Sequence, residues 1–294
     1  GVFHHTPTPN YTRNNIADIF ESPLFQLSLP YCKSIIVLSK YLKRWIQAKL
    51  VELNLPNVPI VMLYHPTEFV TCKFDLQNFL NNPNKKVIQI GAWLRNSYAI
   101  YRLPKPHHFT KCVLRGKDMN HYFPKPEYLD KITDFLLGLG SGDESPCGCG
   151  VGCGVGCGCG WGISRAEVDC NKYITGLIET IRDNHNSVQI IDTVPNDEFD
   201  KLLSENVVFI NLIDASAVNT VIECIVRNTP ILVNRLPAIE EYIGEDYPLF
   251  YNDLVEATEM LDDFELLAKA HCYLSQMDKS KLSIKTFLGG RTVP

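Results

Sequence analysis

A chain of 294 residues, 45% of them hydrophobic, is long enough for two domains with cores of their own. Its formal charge of −5 and sequence pI near 5.9 give no basic footprint, which argues against a nucleic-acid partner. No apolar run reaches the roughly 18 residues of a membrane-spanning helix, and the N-terminus has neither the charged nor the apolar region of a signal peptide, so a soluble, cytoplasmic protein is expected.

Gly1 leads at once into "GVFHH", which suggests that the upstream part of a first domain is missing. "SIIVLS" (34–39) reads as a β-branched strand, "KYLKRWIQAKLVEL" as the helix after it, and "VPIVMLYH" (58–65) as the next strand, ended by Pro66. The rhythm restarts after "NNPNKK" (81–86), with strands expected at 87–93, 111–116, 188–194, 207–213 and 230–234 and a helix over 167–184. Continuously apolar strands alternating with helices imply an α/β protein with parallel sheets covered on both faces. The expectation is two Rossmann-like, doubly wound lobes joined near residues 66 to 86.

Open sheets of this kind bind ligands beyond the carboxyl ends of their strands. After strand 87–93, "IGAWLRNSYAIYRL" places Gly91 at a tight turn and Arg95 a few residues on, positioned to hold a phosphate. The competing reading is a solvated loop arginine, with Trp93 packing against the lobe. The second place is "LIDASAVNTVIECIVRNTPILVN" (212–234), a strand, a small-residue loop, a helix from about Asn219 and a strand led by Pro230. Val221, Ile222, Ile225 and Val226 fall on one helical face and Glu223 points away from it. A carboxylate there can accept two hydrogen bonds from a ribose diol, while the first-turn N–H groups, with Ser216, Asn219 and Thr220, can receive a diphosphate. Thr220-Val-Ile-Glu223 is equally a capping box, in which the glutamate only reaches back to a backbone amide. Local sequence leaves both open.

"NTVIECIVRNTPILVNRLPAIEEYIGEDYPLFY" (219–251) resembles the donor-binding signature of GT-B glycosyltransferases of the family 4 type. "VPNDEFDKLLSENVVFINLID" (194–214) is similar to the segment that precedes that signature, and "IIVLSKYLKRWI" and "VMLYHPTEF" to the end of the N-terminal lobe and the hinge. The resemblance implies a partial acceptor-side lobe over 1–80, a nucleotide-sugar lobe over 81–277 with a low-complexity insertion at about 138–163, and a tail over 278–294. It implies Glu223 on the ribose, Arg95 facing the diphosphate, and His4 and His5 near the reacting carbon of the sugar. The reaction implied is retaining glycosyl transfer from a nucleoside diphosphate sugar to an unknown glycan, lipid or protein acceptor, with no metal or other cofactor required. Two departures stand out. The acidic residue usual eight positions before Glu223 is replaced by Ala215, leaving Asp214 as the nearest carboxylate for the sugar hydroxyls, and "SAVN" replaces the usual Gly-Phe-Gly. With only about 80 residues in the first lobe, the alternative is a non-catalytic nucleotide- or glycan-binding protein on the same scaffold.

Five of the 11 cysteines lie in "CGCGVGCGVGCGCGWG" (147–162), spaced Cys-x-Cys-x3-Cys-x3-Cys-x-Cys. That spacing lacks the Cys-x2-Cys pairs of common zinc sites, and the tract holds no histidine. All its residues are Cys, Gly, Val or Trp, an alphabet that a G/T repeat in the gene produces, so it reads as a low-complexity loop insertion. Cys32, Cys72, Cys112, Cys170, Cys224 and Cys272 have no paired spacing and read as reduced core residues.

Overall fold

The computed structural model describes residues 2–7, 16–91, 94–96, 98–114 and 184–289. The Cys/Gly tract, Trp93, Cys170 and most of the helix expected over 167–184 lie outside the described residues.

The first sheet is parallel, in the order β1 (Val2–Phe3), β2 (Ile35–Val37), β3 (Ile60–Met62), with Val2 opposite Ile36 and Ile35 opposite Ile60. Helices α1 (Ile16–Glu21) and α2 (Pro23–Ser28) follow β1 in the chain, and α3 (Lys40–Glu52) connects β2 to β3. Helix α3 starts where Ser39, in extended backbone, accepts a hydrogen bond from the Leu42 N–H. Its Leu42, Ile46 and Leu50 recur at every fourth position, and that stripe closes a small core with Ile35, Val37 and Phe20. Phe20 meets the edge of Trp45 at 5.7 Å and packs on Phe25 at 5.0 Å.

The second sheet has six parallel strands, β4 (Lys86–Ile90), β5 (Thr110–Leu114), β6 (Val188–Ile191), β7 (Val207–Ile210), β8 (Ile231–Asn234) and β9 (Phe250–Tyr251). Their order is β6-β5-β4-β7-β8-β9, the doubly wound order in which the direction of winding reverses between β4 and β7. Both faces are covered: Val87 and Val113 face one cluster, Ile88, Cys112 and Leu114 another. This is why the strands read as continuous apolar runs and not as alternating ones. Strand β9 has two residues, too few for any periodicity in the sequence to mark it. The helices of this part are α4 (Leu76–Asn81), α5 (Ala99–Arg102), α6 (Asn196–Glu205), α7 (Asn219–Arg227), α8 (Pro237–Ile243), α9 (Leu254–Asp262), α10 (Phe264–Gln276) and α11 (Ile284–Gly289). Two fully buried tyrosines satisfy their hydroxyls on the strands: Tyr247 accepts from the Ile231 N–H at 2.9 Å, and Tyr251 donates to the Ile210 carbonyl at 2.9 Å.

The two sheets meet through α8. The Tyr242 hydroxyl donates to the Leu38 carbonyl at 2.7 Å and accepts from the His65 N–H at 2.9 Å. Next to it, Glu241 Oε2 accepts the Lys40 N–H, at the start of α3, at 2.7 Å. Leu38 and Leu63 of the first unit belong to the large core of the second. The chain then crosses by residues 63–75, where Thr67 N–H bonds the Leu282 carbonyl and Phe74 N–H the Arg227 carbonyl.

Among the described residues the cysteines are free thiols. Cys112 and Cys224 are buried and Cys32 and Cys72 half-buried, but Cys272 is exposed, which corrects the expectation that it belongs to the core. On α10 the inward positions are Leu267, Ala270 and Leu274, so residue 272 lands on the outer side.

Candidate functional site

The loop after β4 is fixed by a buried polar residue inside the strand. Gln89 accepts the Ile100 N–H at 3.1 Å and donates to the Asn96 carbonyl at 3.4 Å, so one amide ties both ends of the loop. The loop is also stitched to the segment after β7. Asn96 N–H bonds the Asn211 carbonyl at 2.8 Å, Ile213 N–H bonds the Leu94 carbonyl at 2.9 Å, and Arg95 faces Leu212 in an antiparallel bridge. Gly91 turns with φ 78°, and Leu94 takes φ 54° without being glycine, a strained placement of the kind found at binding sites.

These constraints aim Arg95 at the first turn of α7. Its Nη2 donates to Thr220 Oγ1 at 2.9 Å, and its guanidinium lies so close over Gly91 that a Cβ there would stand 2.9 Å from Cζ. Arg95 is 9% exposed, and burial holds its pKa down to about 10, so it stays cationic at neutral pH. The solvated-loop reading of Arg95 therefore fails. The capping-box reading fails too. The residue before α7 is Val218, no side chain caps the helix, and the first α-helical bond runs from Ile222 N–H to the Val218 carbonyl. The N–H groups of Asn219, Thr220 and Val221 thus have no helical acceptor.

A cleft of about 130 Å³ opens at this helix start. It is lined by Leu94 and Arg95 after β4, by residues 214–219 after β7, and by His4 after β1 of the first sheet. Ser216 is 2% exposed, and its Oγ has no hydrogen-bond partner among the described residues. The volume suits a phosphoryl group or part of a sugar ring and is well below the roughly 300 Å³ of a pocket that encloses a whole small ligand. Asp214, 7% exposed, accepts the Ala215 N–H at 2.7 Å. Burial first, and then the Asp214 carboxylate to which its hydroxyl is hydrogen-bonded, push the pKa of Tyr41 up. Tyr41 belongs to α3, so this contact crosses between the two units.

His4 packs edge-on against His65 at 5.6 Å and lies 6.4 Å from His5. Burial, then His65 and His5, lower its pKa below the ordinary 6.5, so a neutral imidazole faces the cleft. His5 does not line the cleft. Among the described residues no group of three or more His, Cys, Asp or Glu is placed to hold a metal ion.

Glu223 lies one turn along α7 from Asn219 and outside this cleft. Its Oε2 accepts from Arg227 Nη1 four residues on, and its Oε1 is 3.5 Å from Thr67 Oγ1 in the crossing segment. The structure thus gathers His4, Arg95, Asp214, Ser216 and Asn219 at one cleft, with Gly91 and Thr220 holding Arg95 and Glu223 on its flank. Tyr41, His65, Thr67 and Arg227 were not identified from the sequence. For Arg227 alone a local signal existed, the i,i+4 spacing to Glu223.

No protein-family model and no curated protein sequence matches the chain. Solved structures match it in fold. A sucrose-phosphate synthase from Thermosynechococcus elongatus aligns with TM-score 0.57 at 11% identity, over 97% of this chain and 64% of that one. HepE from Anabaena, solved with UDP and glucose, gives 0.59 at 10% over 97% and 68%. A UDP-forming α,α-trehalose-phosphate synthase from Burkholderia xenovorans gives 0.57 at 9% over 98% and 67%. The fold is GT-B-like. The chain spans about two thirds of the length of these structures. Among the described residues no helix is long and apolar enough to cross a membrane.

Proposed function

We propose that this chain is a glycosyltransferase of the family 4 kind, moving a sugar with retention from a nucleoside diphosphate sugar to an acceptor hydroxyl. The observation that carries the reading is the cleft where winding reverses between β4 and β7. There a buried arginine, a buried serine hydroxyl with no hydrogen-bond partner among the described residues and the first turn of a nine-residue helix converge. The diphosphate lies against Arg95, Ser216 and the α7 N–H groups, which take up the negative charge as the bond from the sugar carbon to the phosphate oxygen breaks. Charge-assisted hydrogen bonds of this sort contribute about 1.5–3 kcal/mol each. Asp214 accepts from the sugar hydroxyls, His4 stands near the reacting carbon with His5 behind it, outside the cleft lining, and Glu223 accepts the ribose diol. The donor is a UDP sugar, the class bound in the HepE structures. No metal is needed for this scheme, since Arg95 and the helix supply the positive charge.

The second reading, a non-catalytic nucleotide- or glycan-binding protein, is favoured by one observation: at Ala215, 2% exposed, a methyl replaces the carboxylate that the family pattern has there. Thermal-shift and calorimetric titration with UDP, GDP and their sugars tests binding, and donor hydrolysis tests chemistry. Binding with turnover supports transfer. Binding without turnover supports the second reading, and no nucleotide binding overturns transfer from a nucleotide sugar and the nucleotide-binding form of the second reading.

A further inference from the structure

Arg227 does not line the cleft, yet it is the most heavily engaged side chain on α7. Its side chain is 5% exposed. Nε donates to Asp200 Oδ1 at 3.0 Å, Nη2 donates to the same oxygen, and Nη1 donates to Glu223 Oε2. The guanidinium lies 5.7 Å from the centre of the Phe199 ring, so α6 supplies both its anchor and its flat support. Burial alone would lower the arginine's pKa, but the Asp200 and Glu223 carboxylates outweigh it and raise it.

The consequence falls on Glu223. Its Oε2 is committed to a guanidinium that two further hydrogen bonds hold to α6, so its carboxylate plane is set by packing and not by its own rotamer preference. The other oxygen, Oε1, points at Thr67 Oγ1 across 3.5 Å, the far limit of a hydrogen bond. Thr67 is itself fixed, its N–H bonded to the Leu282 carbonyl at 2.9 Å. A one-sided carboxylate beside a fixed hydroxyl is a receptor for neighbouring hydroxyls on one ligand.

We propose that Arg227, anchored on Asp200, is a positioning residue that aims Glu223 Oε1, and that Thr67 Oγ1 shares with Glu223 the recognition of the ribose diol. This rests on the nucleotide-sugar reading above and adds to it two residues and a direction of approach. The Asp200 contact is what separates it from a simple i,i+4 pair on a helix surface, because such a pair needs no third partner from another helix.

The test uses the full chain with UDP, GDP and their 2′,3′-dideoxy counterparts. The readout is the ratio of affinities for the native and the dideoxy nucleotide, which a general loss of stability does not change. The wild-type ratio is expected to be about tenfold or more, the worth of one hydrogen bond to a charged group. Glu223→Gln and Arg227→Met are expected to bring it close to one, Thr67→Val to lower it by about threefold, and Asp200→Asn to lower it to an intermediate value. An Arg227→Met protein that keeps the wild-type ratio overturns the positioning role. If that variant does not fold, Asp200→Asn decides, and an unchanged ratio there overturns the proposal. A wild-type protein that binds both nucleotides equally removes the ribose assignment and leaves nucleotide binding standing. A wild-type protein that binds neither removes both.

Discussion

Arg95 and Arg227 are both almost buried, both touch α7, and they are used in opposite ways. Arg227 divides its guanidinium between two carboxylates, which raise its pKa against the effect of burial. Arg95 gives Nη2 to a neutral hydroxyl, burial holds it down to about 10, and its face lines the cleft. Desolvation sets the direction for Arg95, whereas for Arg227 two carboxylates reverse it. Arg95 lines the cleft and, in the proposed function, meets the ligand, whereas Arg227 stands outside it and ties α7 to α6.

The sharpest way to break this contrast is Arg95→Met. We expect the affinity for UDP or GDP, whichever binds, to fall about a hundredfold by calorimetry. A variant that binds normally would show that Arg95 is structural, like its counterpart. Next is Arg227→Met, which leaves Glu223 and Asp200 without their shared cation. Those carboxylates are 30% and 28% exposed, so the loss is expected near 2 kcal/mol in urea unfolding, below the value for a fully buried pair. Adding Asp200→Asn in that background should recover part of it. Gly91→Ala forces a side chain into φ 78° and a Cβ to within 2.9 Å of Arg95 Cζ. It should cost about 1–2 kcal/mol and weaken nucleotide binding together, whereas a change confined to stability would detach Gly91 from the site. Tyr242→Phe removes the two hydrogen bonds that its hydroxyl makes between the units, with an expected loss of about 1 kcal/mol and binding intact.

The smallest effect is with pH. Because the folded-state pKa of His4 lies below 6.5, the unfolded chain takes up that proton first as pH falls. Stability should therefore drop with falling pH from 6.5 down to the folded pKa, and His4→Gln should flatten that slope in unfolding measurements at pH steps through this window.

Much of the frame was legible in the sequence because it is local. Strands β2 to β8 were marked by short apolar runs, α3 by its stripe and α7 by the small-residue loop before it, with boundaries within a few residues. Arg95, Ser216 and Asn219 were found because each follows a strand end. What escaped depends on contacts between distant parts of the chain. Arg95 and Thr220 are 125 positions apart, and Tyr242 and Leu38 are 204 apart, and no periodicity encodes such pairs. The two meanings of Glu223 could not be separated locally either, because the capping box requires only spacing. It was Val218 at the helix boundary, and Arg95 on Thr220, that removed the cap.

The Tyr242 oxygen both gives and receives a hydrogen bond where the two units touch. That oxygen does not act alone: the Lys40 N–H on Glu241, the Tyr41 hydroxyl on Asp214 and the packing of Leu38 and Leu63 tie the same two units at separate points. Contacts spread over several points hold a turn as well as a pull, so His4 after β1 and Arg95 after β4 face each other across the cleft at a set spacing.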